Sequence, residues 1–157
     1  ASTVHAMAPV IETCDSKGII KDWFYPYENV WVKGWNFPVN KWFTVYIVKS
    51  RTWVNGQNIA PWFKQIPNGI KSDGGGVVAT TEIWHNPLTA GLYDIIVDTD
   101  NDLLYDLATD AIDDLDIHGA GFFVPEAPLE SLMLLALGAS VVFIVVKRKR
   151  WTNTTKP

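Results

Sequence analysis

Trp42-Phe43-Thr44-Val45-Tyr46-Ile47-Val48-Lys49 decides the fold. Every residue but the last is β-branched or aromatic, the side chains that fit a pleated, packed surface rather than a helix turn. The run is too short for an ordinary helix and ends in a charge, so it reads as a strand. Upstream, residues 29–34 (Asn-Val-Trp-Val-Lys-Gly) have the same character, and Pro38-Val39-Asn40 between the two supplies turn chemistry, so they are expected to form a hairpin or neighbouring strands. Downstream, runs at 52–54, 77–84, 92–98 and 119–124 are separated by Gly, Pro and Asn at 55–58, 67–76 and 85–91. Lys71-Ser72-Asp73-Gly74-Gly75-Gly76 is too flexible for a strand interior and reads as a loop. About seven short strands without a helical period predict an all-β, Ig-like β-sandwich over 29–124. Residues 1–28 read as an N-terminal arm able to add an edge strand.

A chain of 157 residues holds one such domain and an appendage. The appendage is the second clear feature. Residues 129–146 are predominantly apolar and carry no charge except Glu130 near one end, include Leu129, Leu132, Leu135 and Phe143, and meet the length needed to cross hydrocarbon as an α-helix. Lys147-Arg148-Lys149-Arg150 follows at once, and Trp151 beside it suits an interfacial anchor. Basic flanks stay cytoplasmic, which predicts a single-pass plasma-membrane protein with its N-terminal domain extracytoplasmic and residues 147–157 as the cytoplasmic tail. Pro125 and Pro128 make 125–128 a stiff linker. Ala1 in place of Met is what signal-peptide removal leaves behind.

Charge and cysteine content narrow the function classes. Residues 1–128 hold eight Lys/Arg against sixteen Asp/Glu, an acidic balance that repels phosphate backbones and argues against nucleic acid as a partner. The lone Cys14 excludes an internal disulfide and a multi-cysteine zinc site. His5, His85 and His118 have no ligand spacing. No G-x-S-x-G elbow occurs, and Gly74-Gly75-Gly76 lacks the Lys-Ser/Thr of a phosphate loop, so no enzyme is expected.

The order of several short motifs resembles a family of β-sandwich modules from secreted and cell-surface proteins of archaea. The motifs are Val32-Lys33-Gly34, Pro38, Val45-Tyr46-Ile47-Val48, Trp53-Val54-Asn55-Gly56, Ile83-Trp84, Pro87-Leu88-Thr89-Ala90-Gly91, Tyr93 to Asp98, and Gly121-Phe122-Phe123-Val124. The resemblance covers roughly 29–146 and implies an Ig-like fold and a surface location. Pro125-Glu126-Ala127-Pro128 before the apolar run is similar to an archaeal C-terminal sorting signal, with alanine where that signal has an aromatic residue.

Two groups of residues are candidate sites. Asp98, Asp100 and Asp102 have D-x-D-x-D spacing, with Asp106 and Asp110 following, in a run that continues through Asp113, Asp114 and Asp116. Alternate carboxylates on a tight loop converge on one hard cation, and calcium is the natural ligand. Leu103 stands where an EF-hand has glycine and no glutamate closes the ring, so the competing reading is a solvated acidic loop. Secondly, aromatic residues exceed what one core of this size needs, which assigns Trp23, Tyr25, Tyr27, Trp35, Trp42 and Trp62 to an interface with protein subunits of a membrane or envelope assembly. Core filling and sugar stacking are the alternatives for these rings. The remaining function classes are an adhesion or filament subunit that adds a strand to a neighbour, and a calcium- or carbohydrate-binding surface domain.

Overall fold

The computed structural model describes residues 7–113 and 121–126. They form ten strands: β1 (Val10–Cys14), β2 (Val30–Trp35), β3 (Trp42–Lys49), β4 (Gln57–Asn58), β5 (Lys64–Lys71), β6 (Val78–Trp84), β7 (Gly91–Asp98), β8 (Leu104–Tyr105), β9 (Ala111–Asp113) and β10 (Phe122–Val124). One sheet has the order β1-β2-β6 and a second the order β10-β7-β3-β5, with β9 following β10 along the same edge of β7. A third sheet is the short pair β4-β8.

Period-2 alternation sorts the side chains between layers. Phe43, Val45 and Ile47 of β3 and Tyr93, Ile95 and Val97 of β7 face one way. There they share a core with Ile11, Val30, Val32, Val78 and Ile83 of the first sheet. Tyr46, Val48 and Ile96 face the other way and are covered by Ile59, Tyr105 and Trp53 around the β4-β8 pair. β3 and β7 are therefore buried on both faces, which is why 42–49 is apolar at almost every position instead of alternating. Arg51 fastens the outer layer: its guanidinium stacks on Trp53 at 4.1 Å and donates to the carbonyl oxygens of Asn58 (2.8 Å) and Ile59 (3.0 Å).

Several expectations need correction. β2 and β3 are not neighbours; β2 lies between β1 and β6, and β3 between β5 and β7. Asn36 (φ 65°) and Asn40 (φ 55°) bend the connection across the core, and Phe37, 3 % exposed, seals it. The segment 67–76 was expected only to separate strands, yet β5 runs to Lys71. Pro67 and Gly69 mask the strand signal, and both are tolerated because β5 is a sheet edge and bulges there: Val45 pairs with Ile66 but Phe43 with Ile70. Residues 52–54 are not a strand; the pairing falls at Gln57–Asn58 instead.

The N-terminal arm does add an edge strand, since β1 pairs antiparallel with β2 from Val10↔Trp35 to Cys14↔Trp31. Its far side is tied to the C-terminal end of the domain, where the Thr13 amide donates to Asp113 Oδ2 at 2.7 Å and the Thr13 hydroxyl to the Gly121 carbonyl at 3.3 Å. Among the described residues no helix is long and apolar enough to cross a membrane. The expected span at 129–146, the linker residues 127–128 and the basic tail lie outside the described residues.

Candidate functional site

Asp98 closes β7, and the same alternation that buries Ile96 puts Asp94 and Asp98 on the outer face beside it. Asp98 is fully buried. Its Oδ1 accepts the Asn101 amide at 2.7 Å and its Oδ2 the Leu103 amide at 3.0 Å, so the loop folds around this carboxylate. Asn101 (φ 64°) and Leu103 (φ 65°) both take the left-handed conformation. Leu103 thus makes the turn for which its position in sequence called for glycine, at a cost of about 1–2 kcal/mol.

The turn gathers Asp98, Asp100 and Asp102, which each offer an oxygen within 4.8 Å of the others. Asp100 and Asp102 are exposed and Asp98 forms the floor. Burial raises the Asp98 pKa above the ordinary carboxylate range, and Asp100 adds to the rise, while the Leu103 and Asn101 amides pull it back. Three carboxylates supply part of the six to eight oxygens that calcium takes, leaving room for water or carbonyl groups.

Asp106 and Asp110 do not join them. Asp110 has a bracing role: its Oδ1 accepts the Thr99 amide and its Oδ2 the Asp106 amide, both at 2.9 Å, and burial pushes its pKa up to about 6. In metal-free buffer Asp100→Asn is expected to raise stability by about 0.5 kcal/mol, because it relieves repulsion at a partly exposed cluster. Millimolar calcium is expected to raise the melting temperature of the wild type by several degrees and leave the variant unmoved. Scanning fluorimetry with and without chelator reads both. Equal calcium responses in the two proteins remove the cation from this trio.

Of the six aromatic residues assigned to an interface, the structure brings three together. Residues 22–24 run along the free edge of β10, with the Phe24 amide donating to the Phe123 carbonyl (2.9 Å) and the Phe123 amide to the Asp22 carbonyl (2.8 Å). The extended backbone turns Phe24 into the core at 1 % exposure and Trp23 and Tyr25 outward at 41 % and 42 %; Tyr27 beyond them is 70 % exposed. Trp23 meets Tyr25 edge-on at 4.6 Å, and Tyr25 stacks on Tyr27 at 5.2 Å and 8°. Glu28 fixes this segment by accepting the Tyr25 amide at 2.7 Å and pairing with Lys21 at 2.6 Å. The other three rings stand elsewhere: Trp35 ends β2 opposite Val10, Trp42 begins β3 with Lys71 Nζ 5.5 Å from its ring, and Trp62 packs on Tyr46 at 5.3 Å.

His85 sits on the surface between Glu82 Oε1 (3.0 Å) and Asn29 Nδ2 (3.1 Å); His5 and His118 lie outside the described residues. Cys14 is buried, which raises its thiol pKa to about 11 and makes it a packing residue rather than a nucleophile. Two buried aspartates outside the expected set prove to be structural anchors. Asp94 accepts the Trp53 indole N–H (2.9 Å), the Arg51 amide (3.1 Å) and the Gly121 amide (3.2 Å), and Asp113 holds Thr13. Strand parity with Ile96 would have revealed the burial of Asp94. No family model matches this chain, and no curated protein or solved structure matches it significantly.

Proposed function

We propose that the chain is a non-catalytic interaction module: an Ig-like sandwich outside the plasma membrane, anchored by 129–146, that docks protein subunits of a membrane or envelope assembly. The observation that supports it is the ladder of Trp23, Tyr25 and Tyr27, three exposed rings in successive contact that start on a hydrogen-bonded sheet edge and continue into the turn beyond it. Rings held this way present a large face and lose little conformational entropy on docking, the property that makes Trp and Tyr dominant in interfaces. The archaeal surface-module motifs and the apolar run with its basic flank support the location.

The strand-addition alternative has less to draw on, because Val10–Cys14 of the arm is already paired along its length with β2 of the same chain. The carboxylate trio is the observation behind a calcium-binding reading, and its test is given above.

Extraction of the full-length protein in mild detergent, followed by mass spectrometry of what migrates with it, is expected to yield a defined set of other subunits. Trp23→Ala/Tyr25→Ala is expected to weaken that association by about 2–4 kcal/mol, the range of interface hot spots, without changing the melting temperature. A monomer, a ladder of this chain alone, or an unaffected double variant rejects the reading.

A further inference from the structure

Next to the aromatic ladder is a cleft of about 340 Å³, at the small end of the ~300–1,000 Å³ usual for small-molecule sites. Part of its wall is Trp31, which lies between buried Val30 and Val32 on β2 and so projects from the outer face of the first sheet. The turn at residues 15–18 folds over that face. Lys33 Nζ donates to the Gly18 carbonyl at 2.8 Å, and a Cβ on Gly18 (φ 76°) would come within 2.8 Å of Thr80 Oγ1, so only glycine allows so close an approach. Tyr27, stacked on Tyr25, supplies a second aromatic surface.

Around these rings the lining is polar. Asp15 contributes a carboxylate whose Oδ1 already caps the turn by accepting the Lys17 (2.8 Å) and Ile19 (2.9 Å) amides. Lys21 and Glu28 neutralise one another at 2.6 Å, and the Asn86 amide is oriented by donating to Asn29 Oδ1 at 2.8 Å. These groups select against three ligand classes. An apolar ligand would strand the amide and carboxylates without water. An anion would face Asp15 and Glu28, and a cation would find both carboxylates already countered, Glu28 by Lys21 and Asp15 by Lys17 and Lys21. An uncharged polyol satisfies every group: its hydroxyls both donate and accept, and the C–H face of a sugar ring covers an aromatic ring.

We propose that this cleft holds one pyranose ring of a neutral saccharide, packed against Tyr27 and Trp31 with its hydroxyls on Asp15, Glu28 and Asn86. The proposal shares Tyr27 with the protein-docking ladder, but Trp23 and Tyr25 take no part in the lining, so the two readings are separated by different substitutions.

The test uses the full-length chain in a sugar-free polyoxyethylene detergent, with cellotriose, mannotriose and fully N-acetylated chitotriose as probes, choline and inorganic phosphate as charged controls, and saturation-transfer NMR as readout. At least one trisaccharide is expected to bind with millimolar affinity. Tyr27→Ala is expected to weaken that binding about tenfold, the loss of one stacking contact. The residue's high exposure leaves the fold intact, which an unchanged melting temperature verifies. Tyr27→Phe is expected to restore binding and Trp23→Ala to leave it untouched. Silence from all three saccharides, binding indifferent to Tyr27→Ala, or preference for either charged control overturns the proposal.

Discussion

Tyr93→Ala is expected to destabilise the domain by about 3–5 kcal/mol, the range for removing a large buried aromatic side chain, a large share of the 5–15 kcal/mol that holds an ordinary domain together. Tyr93 is fully buried where both principal sheets and the N-terminal segment meet. Its ring stacks on Phe122 of β10 at 5.3 Å, meets Trp84 of β6 edge-on at 5.2 Å, and lies 5.2 Å from Phe63. Phe24 continues the cluster by packing edge-on against Phe122 at 5.7 Å. Truncation at 93 therefore opens a cavity that borders four separate stretches of chain, and rigid strands on both sides leave little scope for collapse. Tyr93→Phe isolates the hydroxyl, which donates to the Thr89 carbonyl at 3.0 Å and accepts Lys49 Nζ at 2.9 Å. It is expected to cost only about 1 kcal/mol. Urea unfolding followed by tryptophan fluorescence measures both, and similar losses in the two variants contradict the role of the ring.

Melting temperature is expected to fall as pH rises from about 4 to about 7. Burial pushes the Asp113 carboxyl up to about 7 and the Asp110 carboxyl to about 6, both far above the 3.8 of a free aspartate. Between the free and native values the folded state holds a proton that the unfolded state has lost, so stability falls with rising pH across that interval. It is fully present below about pH 4 and gone above about pH 7 for Asp113, or about pH 6 for Asp110. Asp15, Asp73 and Glu28 have lowered values and act in the opposite sense; the stability they contribute is lost only as pH falls below the ordinary carboxylate range. The two trends place the optimum near pH 4–5. Asp113→Asn keeps an oxygen for the Thr13 amide and removes the buried charge, so it is expected to flatten the slope between pH 4 and 7 and to raise the melting temperature at pH 7.5. A melting temperature that rises or stays level from pH 4 to 7 in the wild type contradicts this assignment.

Strands that carry apolar residues on successive positions were legible in the sequence: β2, β3, β6 and β7 lie within one residue of their expected bounds. What escaped was pairing. The Pro38-Val39-Asn40 turn signals a change of direction, but whether the chain reverses within one sheet or crosses to the other depends on partners outside the turn, β1 and β6 for β2, β5 and β7 for β3. β5 escaped because Pro67 and Gly69 are strand breakers everywhere except at an edge. The outer layer escaped because two-residue strands leave no period to read.

The candidate sites divide in the same way. Asp98, Asp100 and Asp102 are local neighbours, so their spacing was enough to bring them together. Asp106 and Asp110 look equivalent in sequence, but the Asp110 carboxylate is turned aside by the Thr99 and Asp106 amides, which only the folded loop supplies, and Asp106 stands apart from the trio. Trp23 and Tyr25 share a surface because alternate residues of extended chain do; Tyr27 joins them through a turn closed by the Glu28 amide on the Tyr25 carbonyl at 3.0 Å. Trp35, Trp42 and Trp62 belong to separate elements, and nothing local in the sequence separates them from that group.

The bond from Thr13 to Asp113, with Gly121 completing the contact, joins positions a hundred residues apart. Synthesis proceeds from the N-terminus, so β1 leaves the ribosome before the other described strands and is among the last of them to find its complete surroundings. Until residues 111–124 have emerged, the edge at Thr13 is an open template and β7 lacks β9 and β10 on one side. Closure is therefore a late, non-local event, and the entropy of bringing distant segments together makes such topologies slow to fold. For a growing chain the hazardous interval is the one between completion of β7 and arrival of β10, when an apolar strand stands half-paired and any holding factor has most to protect.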